Sequence, residues 1–193
     1  MSLNDNIIEI LRQHPEGGEK FFDALDLKLR SDCSIGQEFV NWVCSYDFPN
    51  LAVPVTIDGV RKNAPHLPLQ MEAKNIGIVV TGRFGHYLMS NFSKTLVNTF
   101  KDVIVVNGGI REGEKPEIFK DRLSSYWILL DDSYYSGSTA ISIAEALREI
   151  QPSANLVQAF VVYDGSRDDS KLVKSMFKYY GREEQEAQTI SDN

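Results

Sequence analysis

Residues 126–139 read Tyr-Trp-Ile-Leu-Leu-Asp-Asp-Ser-Tyr-Tyr-Ser-Gly-Ser-Thr. The apolar run at the start of this stretch predicts a buried strand, which ends in two acids, Asp131 and Asp132. A short loop of mostly small, hydroxylated residues follows, and Thr139 opens an amphipathic helical pattern. A fully apolar strand that leads through a short loop into a helix is typical of a parallel sheet covered by helices.

Three further apolar runs have the same strand-like character, at 76–81, 103–106 and 156–163. Helical patterns lie between the runs, at 87–100, at 139–150 and, more weakly, at 117–123. We also predict a last helix over 170–180, with Gly181 as its stop. This alternation predicts an α/β fold, with one parallel sheet of four or five strands and helices on both faces.

The regular alternation divides the chain into three parts. We predict a less regular N-terminal segment over 1–73, an α/β core over 74–181 and a polar tail over 182–193. Within the N-terminal segment, residues 19–30 fit a helix or a strand equally well. A strand pattern at 51–57 is followed by a hairpin turn signal, Asp58-Gly59.

The composition limits the classes of partner. The chain has 193 residues, a formal net charge of −7 and a pI of about 5.0. This acidic balance argues against a nucleic-acid partner, because nucleic-acid binders usually present a basic face. No apolar run approaches the roughly 18 residues of a membrane-spanning helix, and the N-terminus lacks the pattern of a secretory signal. We therefore expect a cytoplasmic protein without a membrane partner.

The loop before the second helical pattern has the chemistry of a phosphate site. Gly137 lets the backbone turn its N–H groups toward an anion, and the start of a helix adds free N–H groups and a positive dipole end. The hydroxyls of Ser136, Ser138 and Thr139 supply further donors. Carboxylates would repel a phosphate, so the two acids are expected to hold neutral hydroxyls or a metal elsewhere on the same ligand. A sugar phosphate has this layout.

The segment resembles the signature with which type I phosphoribosyltransferases bind 5-phosphoribosyl-1-pyrophosphate (PRPP). That signature is a hydrophobic strand, two acids, three variable residues and then Thr/Ser-Gly-x-Thr. Here it reads Asp131-Asp132-Ser133-Tyr134-Tyr135-Ser136-Gly137-Ser138-Thr139, without a gap and with Ser136 where Thr is commoner. The resemblance implies that Asp131 and Asp132 bind the ribose hydroxyls and help to hold Mg²⁺. It assigns the 5′-phosphate to Tyr135, Ser136, Gly137, Ser138 and Thr139.

Two other interpretations of the same residues were weighed. A generic α/β protein can also have a strand that ends in two acids before a capped helix, and this alternative stays open. A Walker B strand would need a P-loop, and the nearest candidate is residues 108–116. There Glu114 stands where the lysine is required, and Lys115 is followed by Pro116. A carboxylate in a phosphate loop repels its ligand, so the NTPase interpretation is rejected.

Two more loops belong to the same resemblance. Family members bind pyrophosphate in the loop after the first core strand, which here is Thr81-Gly82-Arg83-Phe84-Gly85. A mobile loop of the family closes over PRPP, and the glycine-rich stretch 107–115 stands in the corresponding place. Arg111 and Lys115 are its candidate catalytic residues, because either cation could neutralise the leaving pyrophosphate. A plain turn with a solvated arginine and an ordinary charged surface loop are the respective alternatives.

The resemblance predicts an enzyme that uses PRPP and Mg²⁺ to transfer phosphoribosyl to a nitrogen nucleophile, a small-molecule base. Members that act on 6-oxopurines have an aspartate where this chain has Tyr135. An orotate- or adenine-type reaction is therefore favoured over a hypoxanthine/guanine-type one, and residues 1–73 would form a hood over the base. The resemblance also implies a homodimer. The rival is a regulator on the same fold that senses PRPP or a nucleotide without catalysis.

Overall fold

The computed structural model describes residues 9–10, 12–14, 19–46, 48, 72–106, 116–118, 124–166 and 172–178. Its centre is one five-stranded sheet in which every neighbouring pair of strands is parallel. The strands are β1 (Gly77–Thr81), β2 (Asp102–Val106), β3 (Tyr126–Tyr134), β4 (Asn155–Asp164) and β5 (Val173–Lys178). Their spatial order is β2-β1-β3-β4-β5, so the predicted parallel α/β sheet is confirmed.

The helices occupy the stretches between the strands and the region before β1. Those with bounds in the described part of the chain are α1 (Glu19–Ser31), α2 (Cys33–Ser45), α3 (Gly82–Thr99) and α4 (Ser138–Ile150), with a short 3-10 helix at Ala73–Asn75. The ambiguous stretch 19–30 is therefore helical. Within the described residues, no helix is both long enough and apolar enough to cross a bilayer.

Adjacent residues of the inner strands point to opposite faces of the sheet, and each face has its own core. On one face, Ile78 and Val80 belong to a cluster that includes buried side chains of α1, α2 and α3. On the other face, Val79 packs in a cluster with Ala140, Ile143 and Leu147 of α4. Burial on both faces explains why these strands are apolar without alternation, and it confirms the prediction of helices on both faces.

The strand order brings two particular strand ends together. The chain moves outward from β1 to β2 on one side and from β3 to β4 and β5 on the other, so its direction reverses between β1 and β3. In open α/β sheets the crevice beyond the carboxyl ends of the strands at such a switch point is where ligands bind. Thr81 ends β1 there, and the acids of β3 lie beside it.

The last predicted helix is wrong. Residues 173–178 form β5, which pairs with β4 from Ala159↔Val173 to Asp164↔Lys178. Leu172, just before the strand, packs against one core cluster, whereas Met176 and Phe177 within it pack against the other, so the apolar positions lack the strict alternation of a half-buried strand. The hydrogen-bonding partner of β5 is β4, whose paired residues lie 14 positions earlier in the chain, so the local pattern does not reveal the strand.

The N-terminal segment is only partly described. Helices α1 and α2 pack on the sheet as members of the core cluster that contains Ile78, with Phe21, Leu25, Ile35 and Phe39 buried. The predicted strand and hairpin at 51–59, the tail 182–193 and most of 117–123 lie outside the described residues. Residues 116–118, at the start of the weak helical pattern, are not helical. The division at residues 73 and 181 stays a prediction.

Candidate phosphate and sugar site

The turn between β3 and α4 has the geometry of an anion cradle. Gly137 is the N-cap of α4 and has a left-handed backbone, with φ of 76°. The Ser136 hydroxyl accepts a hydrogen bond from the Ser138 N–H at 3.4 Å, and the two serine hydroxyls are 3.2 Å apart. The first helical hydrogen bond runs from the Ile141 N–H to the Gly137 carbonyl at 2.9 Å. The first turn of a helix of this length presents N–H groups to an anion.

The left-handed backbone is the main reason for glycine at position 137, and Tyr134 adds a side-chain contact. A side chain in the left-handed region strains the backbone, and a Cβ added at this position would also collide with the Tyr134 hydroxyl. The approach of Tyr134 closes one side of the cradle. The tight turn that the sequence suggested at Gly137 is therefore present, packed against a neighbouring side chain.

The two acids lie at the carboxyl-terminal part of β3, half-buried. The Asp132 N–H donates to Asp131 Oδ1 at 2.9 Å, and the Ser133 hydroxyl donates to Asp132 Oδ1 at 3.1 Å. Burial raises the pKa of Asp131 well above its usual range, and the neighbouring Asp132 charge raises it further. Burial also raises the pKa of Asp132, opposed by the Ser133 hydroxyl and by the positive charge of Arg83.

Raised pKa values mean that the site stabilises these carboxylates less than water would. Groups that supply hydrogen-bond donors, or a cation, would lower both pKa values toward their ordinary range. A vicinal diol and a divalent metal are two such ligands. A ligand with such groups would therefore compensate the negative charges of Asp131 and Asp132 better than the protein alone does.

The candidate pyrophosphate loop is the first turn of α3. Thr81 is its buried N-cap residue, and Gly82 has a left-handed backbone with φ of 59°. A Cβ on Gly85 would come within 2.9 Å of the Val80 carbonyl carbon, so glycine permits the helix to pack closely on β1. Phe84 is buried in the core, where its ring packs edge-on against Phe39. An anion could therefore meet the backbone of Phe84 but not its side chain.

Arg83 points from this turn toward α1. Its Nη2 is 3.3 Å from Asp23 Oδ1, and its Nη1 is 3.5 Å from Asp26 Oδ2. The positive charge of Arg83 also acts to lower the pKa of Asp132, against the larger effect of burial, which raises it. Sequence reasoning identified the arginine but missed both α1 carboxylates, because a residue 60 positions away gives no local signal.

Tyr135 lies between the acids and the end of β4. Its ring is 5.9 Å from that of Tyr163 in an edge-on arrangement, and a Cβ on Gly165 would collide with it. Burial, and then the charge of Asp132, raises the pKa of Tyr135 to about 12, so its hydroxyl is protonated at neutral pH. The ring remains 37% exposed. Tyr163 lies near the end of β4 and Gly165 directly follows that strand, and the sequence signature gave no indication of either.

The structure therefore brings together three of the predicted groups: the acids, the cradle at 136–139 and the turn at 81–85. The predicted catalytic residues Arg111 and Lys115 lie outside the described residues. No group of three or more His, Cys, Asp or Glu side chains able to hold a metal occurs among the residues that the structure describes. Mg²⁺ usually takes only one or two carboxylates and completes its shell with water and substrate oxygens, so Asp131 and Asp132 fit a magnesium ion shared with a ligand.

The chain was compared with known protein families, curated proteins and solved structures. No family model and no curated protein matches the chain. A purine phosphoribosyltransferase from Pyrococcus horikoshii is 17% identical over 53% of this chain and 70% of that one, with a TM-score of 0.39. The Helicobacter pylori xanthine-guanine-hypoxanthine enzyme is 11% identical over 83% and 93%, with a TM-score of 0.42. An orotate phosphoribosyltransferase from Aeropyrum pernix is 12% identical over 86% and 81%, with a TM-score of 0.46. All three of these proteins are named as phosphoribosyltransferases.

Proposed function

We propose that the chain is a phosphoribosyltransferase that uses PRPP and Mg²⁺ to transfer the phosphoribosyl group to a nitrogen of a nucleobase. The observation that carries the proposal is the position of the cradle. A left-handed glycine, two serine hydroxyls and the start of α4 directly follow two half-buried acids at the switch point between β1 and β3. A phosphate site next to a diol site, at the usual ligand position of the sheet, fits a sugar phosphate.

Each part of PRPP has a matching group of residues in this proposal. The 5′-phosphate lies in the cradle formed by Tyr135, Ser136, Gly137, Ser138 and Thr139. Asp131 and Asp132 accept hydrogen bonds from the ribose hydroxyls. The pyrophosphate lies against the first turn of α3, where Arg83 supplies the cation and the backbone supplies N–H groups.

The reaction breaks the bond between ribose C1 and a pyrophosphate oxygen, which leaves with the electron pair, and forms a bond from C1 to the base nitrogen, whose proton passes to water or to the leaving pyrophosphate. Positive charge develops on the ribose in between, so the protein acts by positioning the partners and by electrostatic stabilisation. Carboxylates on the ribose hydroxyls hold the sugar and favour the developing positive charge. Mg²⁺, when bound, neutralises charge on the leaving pyrophosphate. Arg111 and Lys115 are proposed to assist it.

The acceptor is proposed to be of the orotate or adenine type. The residue before the Ser136-Gly137 turn is Tyr135, which has no carboxylate to offer a purine nitrogen and whose hydroxyl is protonated at neutral pH. Its partly exposed ring, braced by Tyr163 and Gly165, presents an aromatic surface instead.

The direct test is to incubate the protein with PRPP, Mg²⁺ and one base at a time, and to follow the release of pyrophosphate. We expect release with orotate or adenine and slower or no release with hypoxanthine and guanine. The Asp132→Asn variant is the matched control for background hydrolysis. Binding of PRPP without pyrophosphate release for any base would instead support a sensing regulator. Absence of PRPP binding would contradict both functions.

A further inference from the structure

Arg83 is held by two carboxylates of a different part of the chain. Asp23 and Asp26 lie one turn apart on α1. Asp23 accepts a hydrogen bond from Arg83 Nη2 at 3.3 Å, and Asp26 Oδ2 forms an ion pair with Arg83 Nη1 at 3.5 Å. The Asp26 side chain is only 16% exposed and also pairs with Arg30 at 3.2 Å. Both terminal nitrogens of Arg83 thus contact acids of the N-terminal segment rather than facing an open anion site.

We propose that Asp23 and Asp26 set the affinity of the site for pyrophosphate by competing with it for Arg83. This inference rests on the proposed function, because it takes the first turn of α3 as the pyrophosphate site. In the ligand-free protein the guanidinium is bound to α1, and an incoming pyrophosphate must replace these two partners. When pyrophosphate leaves, the same carboxylates offer Arg83 an alternative partner and thereby favour release.

The charges around Arg83 favour a role in which the α1 acids compete with pyrophosphate over one in which they only orient the arginine. Arg83 contacts Asp23 and Asp26, and its positive charge also acts to lower the pKa of Asp132, which burial raises. If the α1 acids served only to orient the arginine toward the site, at least one terminal nitrogen would face the switch point. Both terminal nitrogens instead contact α1.

The size of the effect follows from the exposure of the ion pairs. The Arg83 side chain is 59% exposed, so each pair is weakened by solvent. Exposed pairs contribute modestly, and two of them together correspond to a change of about three- to tenfold in a binding constant. Removal of both acids should therefore tighten pyrophosphate binding by about this factor.

The experiment is a titration of the full chain with inorganic pyrophosphate at fixed free Mg²⁺, by calorimetry. Four proteins are compared: wild type, Asp23→Asn/Asp26→Asn, Arg83→Gln, and the triple variant. Loss of two negative charges would by itself strengthen anion binding to the same extent with or without Arg83. The Arg83→Gln background therefore measures this general effect, and competition for Arg83 appears as an additional gain when the arginine is present. The double substitution should therefore tighten binding about three- to tenfold when Arg83 is present, and less than about twofold in the Arg83→Gln background.

Two controls make the outcome specific. Glu38→Gln removes an exposed charge from the neighbouring helix α2 and should leave pyrophosphate binding unchanged. Asp23→Asn alone spares the pair between Asp26 and Arg30, so it keeps the test valid if the double variant unfolds, and it should show part of the gain. Equal or weaker binding by the Asp23 variants, or a gain that persists without Arg83, would overturn the inference while leaving the proposed function intact. A wild type that binds no pyrophosphate would overturn the pyrophosphate assignment and this inference with it.

Discussion

At the scale of single residues, the site combines groups that are costly to the fold and useful to a ligand. Asp131 and Asp132 are adjacent carboxylates whose pKa values are raised by burial, and Gly137 has a backbone conformation that other residues rarely adopt. Strained backbone and perturbed carboxyl groups cluster at functional sites, because a ligand rather than the fold benefits from them. Three substitutions separate the roles of these residues.

The first prediction concerns Asp132→Asn. The change keeps the size of the side chain but removes the charge that accepts hydrogen bonds from a ribose diol. A hydrogen bond to a charged group contributes about 1.5–3 kcal/mol, so binding of ribose 5-phosphate should weaken roughly ten- to a hundredfold. Binding of inorganic phosphate should hardly change, because the cradle is untouched. Metal-free titrations with both ligands make the comparison, and a folded variant that binds ribose 5-phosphate normally would exclude the diol assignment.

The second prediction is the reverse effect for Gly137→Val. The left-handed backbone at this position costs a side-chain-bearing residue about 1–2 kcal/mol, and the new side chain meets the Tyr134 hydroxyl. Inorganic phosphate binding should therefore be lost together with ribose 5-phosphate binding. Circular dichroism checks that the variant is folded. If inorganic phosphate still binds as in wild type, the anion site lies elsewhere.

The third prediction links Asp131 to stability. Because burial raises its folded-state pKa, the folded chain binds the proton more tightly than the unfolded chain. The contribution of Asp131 to folded stability should then be greatest at low pH and should be lost as the pH rises from about 4, the unfolded value, through the raised folded value. Asp131→Asn removes this ionisation, and its amide oxygen can still accept from the Asp132 N–H.

Thermal unfolding at a series of pH values measures this effect. The unfolding temperature of Asp131→Asn should exceed that of wild type at pH 8, and the difference should disappear near pH 4. Glu38→Gln, which removes an exposed carboxyl group on α2, serves as the control and should show no such trend. A difference between Asp131→Asn and wild type that is independent of pH would contradict the assignment.

At the scale of elements, helix α1 is the part of the N-terminal segment that contacts both the core and the site. Phe21 is fully buried and its ring lies 4.8 Å from that of Tyr163, at the end of β4. Tyr163 in turn contacts Tyr135, so one aromatic row runs from α1 to the loop after β3. The acids of the same helix hold Arg83. Helix α1, which belongs to the predicted hood segment 1–73, is thus packed against the sheet.

The fourth prediction tests this docking. Phe21→Ala removes a fully buried ring and should lower the free energy of unfolding by about 3–5 kcal/mol. Leu27→Ala on the same helix is the matched control, since Leu27 is 70% exposed, and it should change stability by no more than about 0.5 kcal/mol. Urea unfolding gives both values. Equal, small effects would show that α1 does not fold with the sheet.

At the scale of the whole molecule, the topology places the proposed ligand groups that the structure describes at one edge of the sheet. The acids of β3, the cradle before α4 and the first turn of α3 all follow strands that end at the switch point. The fifth prediction, a homodimer, belongs to this scale and rests on the resemblance alone. Light scattering at micromolar concentration should give twice the mass of the chain, and a monomeric mass would contradict it.

The sequence by itself determined the strand, the two acids, the glycine turn and the helix start over residues 126–139, and with them the parallel sheet. These features are local, because burial on both faces makes a strand uniformly apolar and a left-handed turn selects glycine. Other features depended on the tertiary structure. Residues 173–178 form a strand rather than a helix because β4 offers its edge, and Phe84 belongs to the core rather than to the site. Arg83 is bound to Asp23 and Asp26, and Tyr135 is braced by Tyr163 and Gly165. Each of these features depends on a contact between residues far apart in the chain, and such a contact exists only once packing has brought its two partners together.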